Sequence, residues 1–328
     1  MYPKQRGGGP RCGPYGRGCL RNFSLRIGLT ALTILRDSLA GCAMRIRVMT
    51  SADIPAGMRL KELAGWNQTE ADWQRFLDAS KEGCFVAEID GTVCGTAATI
   101  SFEGRFAWVG MVLVDPAHRG HGIGTRLLNE AIAYLDQARI TAIKLDATPA
   151  GKPIYERLGF QTEYEVERWM LRRPARALAA KLLTPADPGM PAALVERVIQ
   201  ADREVFGADR SMLLRSIHNA NPELTDGLWN AGAIEAYSLG RRGSFADHLG
   251  PWVAVNEESA RPMLERFLSR SLREAVVVDC SMVRPFPKRL LEEFGFTHSR
   301  RLTRMYRGAN RFPGRPDLLC AILGPEFG

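Results

Sequence analysis

A chain of 328 residues has room for two ordinary domains, and 45% hydrophobic with 24% charged residues is the composition of a soluble globular protein. The net charge of +8 points to nucleic acid only until it is located: Lys4, Arg6, Arg11, Arg17, Arg21, Arg26 and Arg36 face Asp37 alone in residues 1–43, so no nucleic-acid binding is expected of the remainder. Seven cysteines with no C-x-x-C pair and no Cys/His cluster indicate neither zinc nor a disulfide framework, and no apolar run nears the ~20 residues of a membrane span.

Residues 1–43 lack the apolar content to fold alone and read as a disordered basic extension. Leu39-Ala40-Gly41-Cys42 is similar to a lipoprotein processing site, but Arg26, Arg36 and Asp37 interrupt the uncharged core such a signal needs. An Arg-rich, acid-poor leader is also the composition of an organelle transit peptide, and that alternative stays open. The globular part is expected to start at Met44, with a strand from Arg45 to Met49.

Ser51 can cap a helix running through Leu63. Gly65 to Gln68 forms a loop, and Thr69 with Asp72 opens a second helix through a capping box. Cys84 to Glu88 is a strand, Asp90-Gly91 a tight turn, Val93 to Phe102 the returning strand, and Glu103-Gly104 a turn into a strand over 106–114. Asp115 and Pro116 stop that strand. Gly120, Gly122 and Gly124 follow, and then Ile123, Leu127, Leu128, Ala131, Ile132 and Leu135 recur at helical spacing.

A strand, a glycine-rich turn and a helix together make an anion site. The first N–H groups of a helix are unpaired, and glycines let a ligand approach them and gather them into a nest. A P-loop would need Gly-Lys-Ser/Thr, whereas Gly124 precedes Thr125 and Arg126; a Rossmann turn would need G-x-G-x-x-G, whereas these glycines run G-x-G-x-G. Arg119-x-x-Gly122-x-Gly124 instead resembles the coenzyme A pyrophosphate loop of the GNAT N-acetyltransferase superfamily. Further on, Ala142 to Leu145 reads as a strand, followed by a short helix and Tyr155-x-x-x-Gly159-Phe160, which is similar to that family's second motif. The element order β-α-α-β-β-β-α-β-α-β over 44–173 matches the GNAT fold, a mixed α/β sheet flanked by helices.

The resemblance implies acetyl-CoA as cosubstrate, with no metal. Its pantetheine would pair with Val112, Leu113 and Val114 like an added strand, and its pyrophosphate would sit on the N–H groups of Gly120, His121, Gly122, Ile123, Gly124 and Thr125. Arg119 would add charge or brace the loop, while the side chains of His118 and His121 read as solvent-facing. Tyr155 stands where the family keeps the acid that protonates the departing thiolate. Thr148 occupies a cofactor-contacting position where many members carry asparagine, and it lacks that amide donor. The strand at 109–114 carries no acidic base, which leaves Asp146 as the nearest carboxylate for that role. Trp66 and Asn67, on the loop between the first two helices, would wall the acceptor pocket.

Leu183 to Met190 is Pro-rich, and 174–190 reads as a linker. Residues 191–310 repeat the plan in degenerate form: Gly250 to Val255 parallels Gly110 to Val114, Ala275 to Asp279 parallels Ile143 to Asp146, and Leu291 to Phe296 parallels Tyr155 to Phe160. Asn256-Glu257-Glu258-Ser259-Ala260 replaces the glycine loop and Leu291 the tyrosine, so this half is expected not to bind CoA. Phe206 to Ser211 and Arg241 to His248 are its polar stretches and candidates to close the acceptor pocket; 311–328 reads as a C-terminal tail. The expected protein is a cytoplasmic monomer or homodimer that acetylates a small-molecule amine, without nucleic-acid or membrane partners. The alternative is a non-catalytic acyl-CoA-binding or assembly protein.

Overall fold

The computed structural model describes residues 44–174 and 190–328, and the readings of 1–43 as an extension and of nearly all of 174–190 as a linker lie outside them. The first half runs β1 (Arg45–Val48), α1 (Ile54–Leu63), α2 (Glu70–Ala79), β2 (Cys84–Ile89), β3 (Thr92–Phe102), β4 (Phe106–Val114), α3 (Ile123–Gln137), β5 (Ala142–Ala147), α4 (Lys152–Arg157) and β6 (Gln161–Arg172). The second runs α5 (Ala192–Phe206), α6 (Ser211–Ala220), β7 (Asp226–Asn230), β8 (Ala233–Arg242), β9 (Asp247–Ala254), α7 (Glu257–Arg270), β10 (Ala275–Ser281), α8 (Phe286–Glu293), β11 (Thr297–Gly308) and β12 (Leu319–Ala321). The order expected from sequence for the first half is the order observed.

Local chemistry accounts for the elements. The capping box at Thr69 and Asp72 starts α2 as the sequence predicts. On α3 the residues at helical spacing from Ile123 to Leu135 are the buried ones. Alternation along β2 sends neighbours to opposite faces: Phe85 packs under α3 with Ile123 and Leu127, whereas Val86 joins Trp73 and Phe76 of α2. Ile199 of α5 and Leu213 and Ile217 of α6 belong to that second core, so one hydrophobic layer serves both halves.

The two halves also share one mixed sheet, in the order β1-β2-β3-β4-β5-β11-β6-β10-β12-β9-β8-β7. The halves have exchanged equivalent strands: β11 lies between β5 and β6, and β6 lies between β11 and β10. Two buried ion pairs mark the exchange at equivalent registers. Arg304 of β11 faces Asp146 of β5, and Arg168 of β6 faces Asp279 of β10.

Residues 311–328 correct the expectation of a tail. β12 is wedged against both β9 and β10 where those two strands, paired in parallel only from Asp247 to Leu249, separate. Beyond it the chain crosses to the first half, where Phe327 stacks on Phe76 with centroids 4.9 Å apart. Ile322, Leu323 and Phe327 are fully buried, which ties this segment down by the same hydrophobic effect that holds the helices.

Candidate active site

Gly120 and Gly122 adopt φ of 81° and 76°, the left-handed region that side chains avoid, and Gly122 is the N-cap of α3. No side chain caps this helix end, and a Cβ placed on either glycine would meet nothing within 4 Å. The end is therefore an open cradle of N–H groups at the positive pole of the helix, spanning Gly120 to Thr125, and it fits a pyrophosphate. Arg119 braces the loop against β4, its Nε donating to the Val114 carbonyl at 3.1 Å. His121 is exposed, with its ring at 3.3 Å from the His118 carbonyl.

β4 and β5 pair in parallel only at Ala107 with Ile143 and Trp108 with Lys144, then diverge. Past that point β4 carries a bulge, with Met111 and Val112 set against Ala97 and Met111 at φ 54°. Thr96 Oγ1 donates to the Met111 carbonyl at 2.7 Å and holds the bulge in place. The divergence opens a cleft of about 640 Å³, continuous with solvent, between Val109 to Val112 on one side and Leu145, Asp146 and Thr148 on the other. The β5-facing backbone of Val112, Leu113 and Val114 has no strand partner, which suits an extended amide-bearing ligand.

Tyr155 lines this cleft. Its ring packs edge-on to Phe160 at 5.9 Å and fits beside Gly151, where a Cβ would stand 3.0 Å from the ring. Burial pushes the Tyr155 hydroxyl up to about 12, and among the described residues it has no hydrogen-bond partner. Thr148 Oγ1 accepts from the Gly151 N–H at 3.2 Å, so the residue shapes the turn into α4 while bordering the cleft.

Two sequence expectations need correction. Asp146 is not a free base: both its oxygens accept from Arg304, Nε at 3.0 Å and Nη2 at 2.9 Å, and its side chain is fully buried. Burial pushes this carboxyl up while Arg304 pulls it down. Arg304 is held further by the Tyr164 hydroxyl at 2.6 Å and lies 4.6 Å from the Trp108 ring centre. Asn67 is buried and engaged by the second half: its Oδ1 accepts from the Phe245 and Ala246 N–H groups, and its Nδ2 donates to the Ala246 carbonyl. It ties the two halves together, and its amide is committed to the 245–246 backbone rather than turned to the cleft, whose lining does not include it. Trp66, beside it, does line the cleft.

The remaining wall comes from the second half. Arg300 and Leu302 of β11 and the Pro325-Glu326 segment complete the lining. Glu326 is anchored by Gln68 Nε2 at 2.9 Å and by Arg241, which also pairs with Asp72 at 2.7 Å. Asp72 thus caps α2 and joins the halves, and Arg241 and Arg75 hold its carboxyl low against the burial that would raise it. Of the two polar stretches expected near the pocket, Arg241 to His248 reaches it through Glu326 and Asn67. Arg210 instead pairs with Asp202 and borders a different cleft.

Two family descriptions match the chain: the Acetyltransferase (GNAT) family over residues 56–160 and an Acetyltransferase (GNAT) domain over 198–321. The chain belongs to the GNAT acetyltransferases. As such it is a transferase enzyme of the acyl-transferring kind. It is 27% identical to the uncharacterized N-acetyltransferase YitH of Bacillus subtilis (strain 168), across 64% of this chain and 72% of that one. It is 23% identical to the holothin acyltransferase of Pseudoalteromonas sp. (strain SANK 73390), across 80% and 87%. The fold is shared with a crystal structure of a putative acetyltransferase from Pyrococcus horikoshii, at TM-score 0.70 and 21% identity, covering 87% of this chain and 96% of that one.

The GNAT motifs lie along one side of the cleft, and the groups opposite belong to neither of them. Arg300, Arg304, Gln68 and Glu326 carry no motif. Only the repeat itself could have pointed to Arg300 and Arg304, because β11 is the counterpart of β6 and strand exchange brings it to β5; Gln68 lies in the loop expected to wall the pocket, and Glu326 in the segment read as a tail. No helix of the described residues is long and apolar enough to cross a membrane.

Proposed function

We propose that this protein transfers an acetyl group from acetyl-CoA directly to the amine of a small molecule, in the cytoplasm where that thioester is available. The observation that carries this reading is the open glycine cradle at α3 beside a splayed strand pair with Tyr155 in the same cleft. The thioester supplies an activated acetyl group. The bulged backbone of β4 orients it, and Trp66 and the second-half wall shelter the acceptor from bulk water. As the amine nitrogen bonds to the carbonyl carbon and the C–S bond breaks, the thiolate takes the Tyr155 proton, and the amine's surplus proton passes to water, which returns one to the Tyr155 oxygen. No side chain in the cleft stands out as a free base, which suits an amine that arrives already neutral. Burial keeps the Tyr155 hydroxyl protonated throughout the physiological range, so its proton is in place when the C–S bond breaks.

The test is a thiol-release assay with acetyl-, propionyl- and butyryl-CoA over a panel of small amines, with Tyr155→Phe alongside. Acetyl-CoA should be the best donor, and the variant should lose roughly 10²- to 10⁴-fold in kcat with CoA affinity kept. An unchanged kcat removes Tyr155 from the reaction, and a preference for longer acyl chains removes acetyl transfer.

A further inference from the structure

We infer that Arg300 anchors a negatively charged group of the acceptor, so that the substrate is an amine that also bears a carboxylate. The inference rests on the acyl-transfer reading of the cleft and adds to it the class of molecule that enters.

Four arginines are buried among the described residues, and each is paired with a carboxylate: Arg168 with Asp279, Arg210 with Asp202, Arg241 with Asp72 and Glu326, Arg304 with Asp146. Half-buried Arg300 has no such pairing. It lines the cleft together with Tyr155, its Nε is buried with no acceptor, and among the described residues it has no carboxylate partner. Partial withdrawal of a cation from water without a partner carries a cost; burial together with the neighbouring Arg168 charge pushes this guanidinium down to about 10. The carboxylates around it are already taken. Asp146 is matched by Arg304, Glu326 by Arg241 and Gln68, and Asp279 by Arg168 with His248 at 3.0 Å. The cleft is thus left with one unmatched positive charge.

A bulge immediately precedes that charge. β11 pairs His298 with Trp169 and then Arg300 with Arg168, so Ser299 is an extra residue. Such a bulge re-aims the following side chain, and bulges gather next to active sites. A guanidinium is suited to a carboxylate because its fork matches the two oxygens. The phosphates of CoA are the rival ligand, but the α3 cradle that fits them shares no residue with the lining of this cleft. With the acceptor's carboxylate on Arg300, its amine has Tyr155 and the β4 bulge within the same cleft.

The experiment uses the full chain and matched pairs of probes, namely glycine, alanine, leucine, phenylalanine and lysine, each against its own carboxamide, with acetyl-CoA as donor. The wild-type protein should favour the acids in kcat/KM by about ten- to a hundred-fold. Arg300→Gln should abolish that preference through KM, leaving the KM for acetyl-CoA and the melting temperature unchanged, and Arg300→Lys should restore part of it. Equal or better use of the amides by wild type overturns the assignment, as does a preference that survives in Arg300→Gln, a parallel rise in the KM for acetyl-CoA, or a variant that fails to fold. If only uncharged amines are acetylated, acyl transfer stands and the role of Arg300 falls. If calorimetry detects no acetyl-CoA binding, or no amine of either kind reacts, the acyl-transfer reading itself falls and takes this one with it.

Discussion

Tyr155 and Asp146 are both titratable groups on the cleft, and their surroundings assign them opposite fates. The Tyr155 hydroxyl, raised to about 12 by burial, is neutral in the fold at pH values where a free tyrosine near 10 already ionises. The alkaline arm of kcat that belongs to Tyr155 should therefore lie near 12. Activity should hold level up to about pH 10 if the fold survives, and this arm should vanish in Tyr155→Phe. The same shift stabilises the fold below pH ~10, and that contribution is lost as pH rises from there through 12. Asp146 is instead one end of a buried pair. Arg304→Met strands its carboxylate and should cost about 3–5 kcal/mol in a urea titration. Asp146→Asn should likewise lower stability, whereas a catalytic base would lose kcat at unchanged stability. Removing both partners should recover part of the loss, because no unpaired charge then stays buried.

At the scale of elements, the two helix ends that correspond in the repeat differ in what fills them. The start of α3 is an open glycine cradle. The start of α7 is closed by a capping box, with Asn256 Oδ1 accepting from the Ser259 N–H at 2.9 Å and Glu257 and Glu258 in the first turn. The strands differ in the same way. The gap between β4 and β5 is a cleft, whereas the gap between β9 and β10 is occupied by β12. Where the first half has room for a pantetheine, the second has put a piece of its own chain. One CoA per chain is thus expected in a calorimetric titration, and Gly122→Glu should abolish it by setting a carboxylate in the cradle, while the circular dichroism of the fold persists. Two equivalent sites, or one that survives in Gly122→Glu, would show that the wrong half has been read as degenerate.

Across the whole molecule, the exchange of β6 and β11 makes the halves mutually dependent. A fragment ending at 173 would leave β5 and β6 without the strand between them, expose Trp108 and Phe76, and strand Asp146. Unpaired edges and bared apolar surface favour association over folding. The fragment 44–173 should therefore be aggregated or poorly helical by gel filtration and circular dichroism, and should lack transferase activity, although it contains both GNAT motifs. A narrower version of the same dependence is Gly110, where a Cβ would stand 2.5 Å from the Glu326 carbonyl. Gly110→Val should displace the Pro325-Glu326 wall and raise the KM for acceptor more than that for CoA.

The features determined by the sequence alone are those whose causes are local. A glycine run before a helical apolar stripe dictates an open helix end, Thr69 with Asp72 dictates a cap, and Tyr155 ahead of Gly159-Phe160 sits one helix turn inside a known motif. Such signals span a few residues, so periodicity and turn chemistry report them directly. The tertiary structure decided what depends on pairing at a distance. The sequence pattern of β11 is satisfied equally well beside β6 alone or between β5 and β6, since a strand's alternation says which residues face inward and not which neighbour it meets. Only that choice puts Arg304 on Asp146 and Arg300 in the cleft, and only the packing of Phe327 on Phe76 brings Glu326 to Gln68. Asn67 reads the same in sequence whether its amide meets a substrate or the 245–246 backbone, because the difference lies in what the other half of the chain places against it.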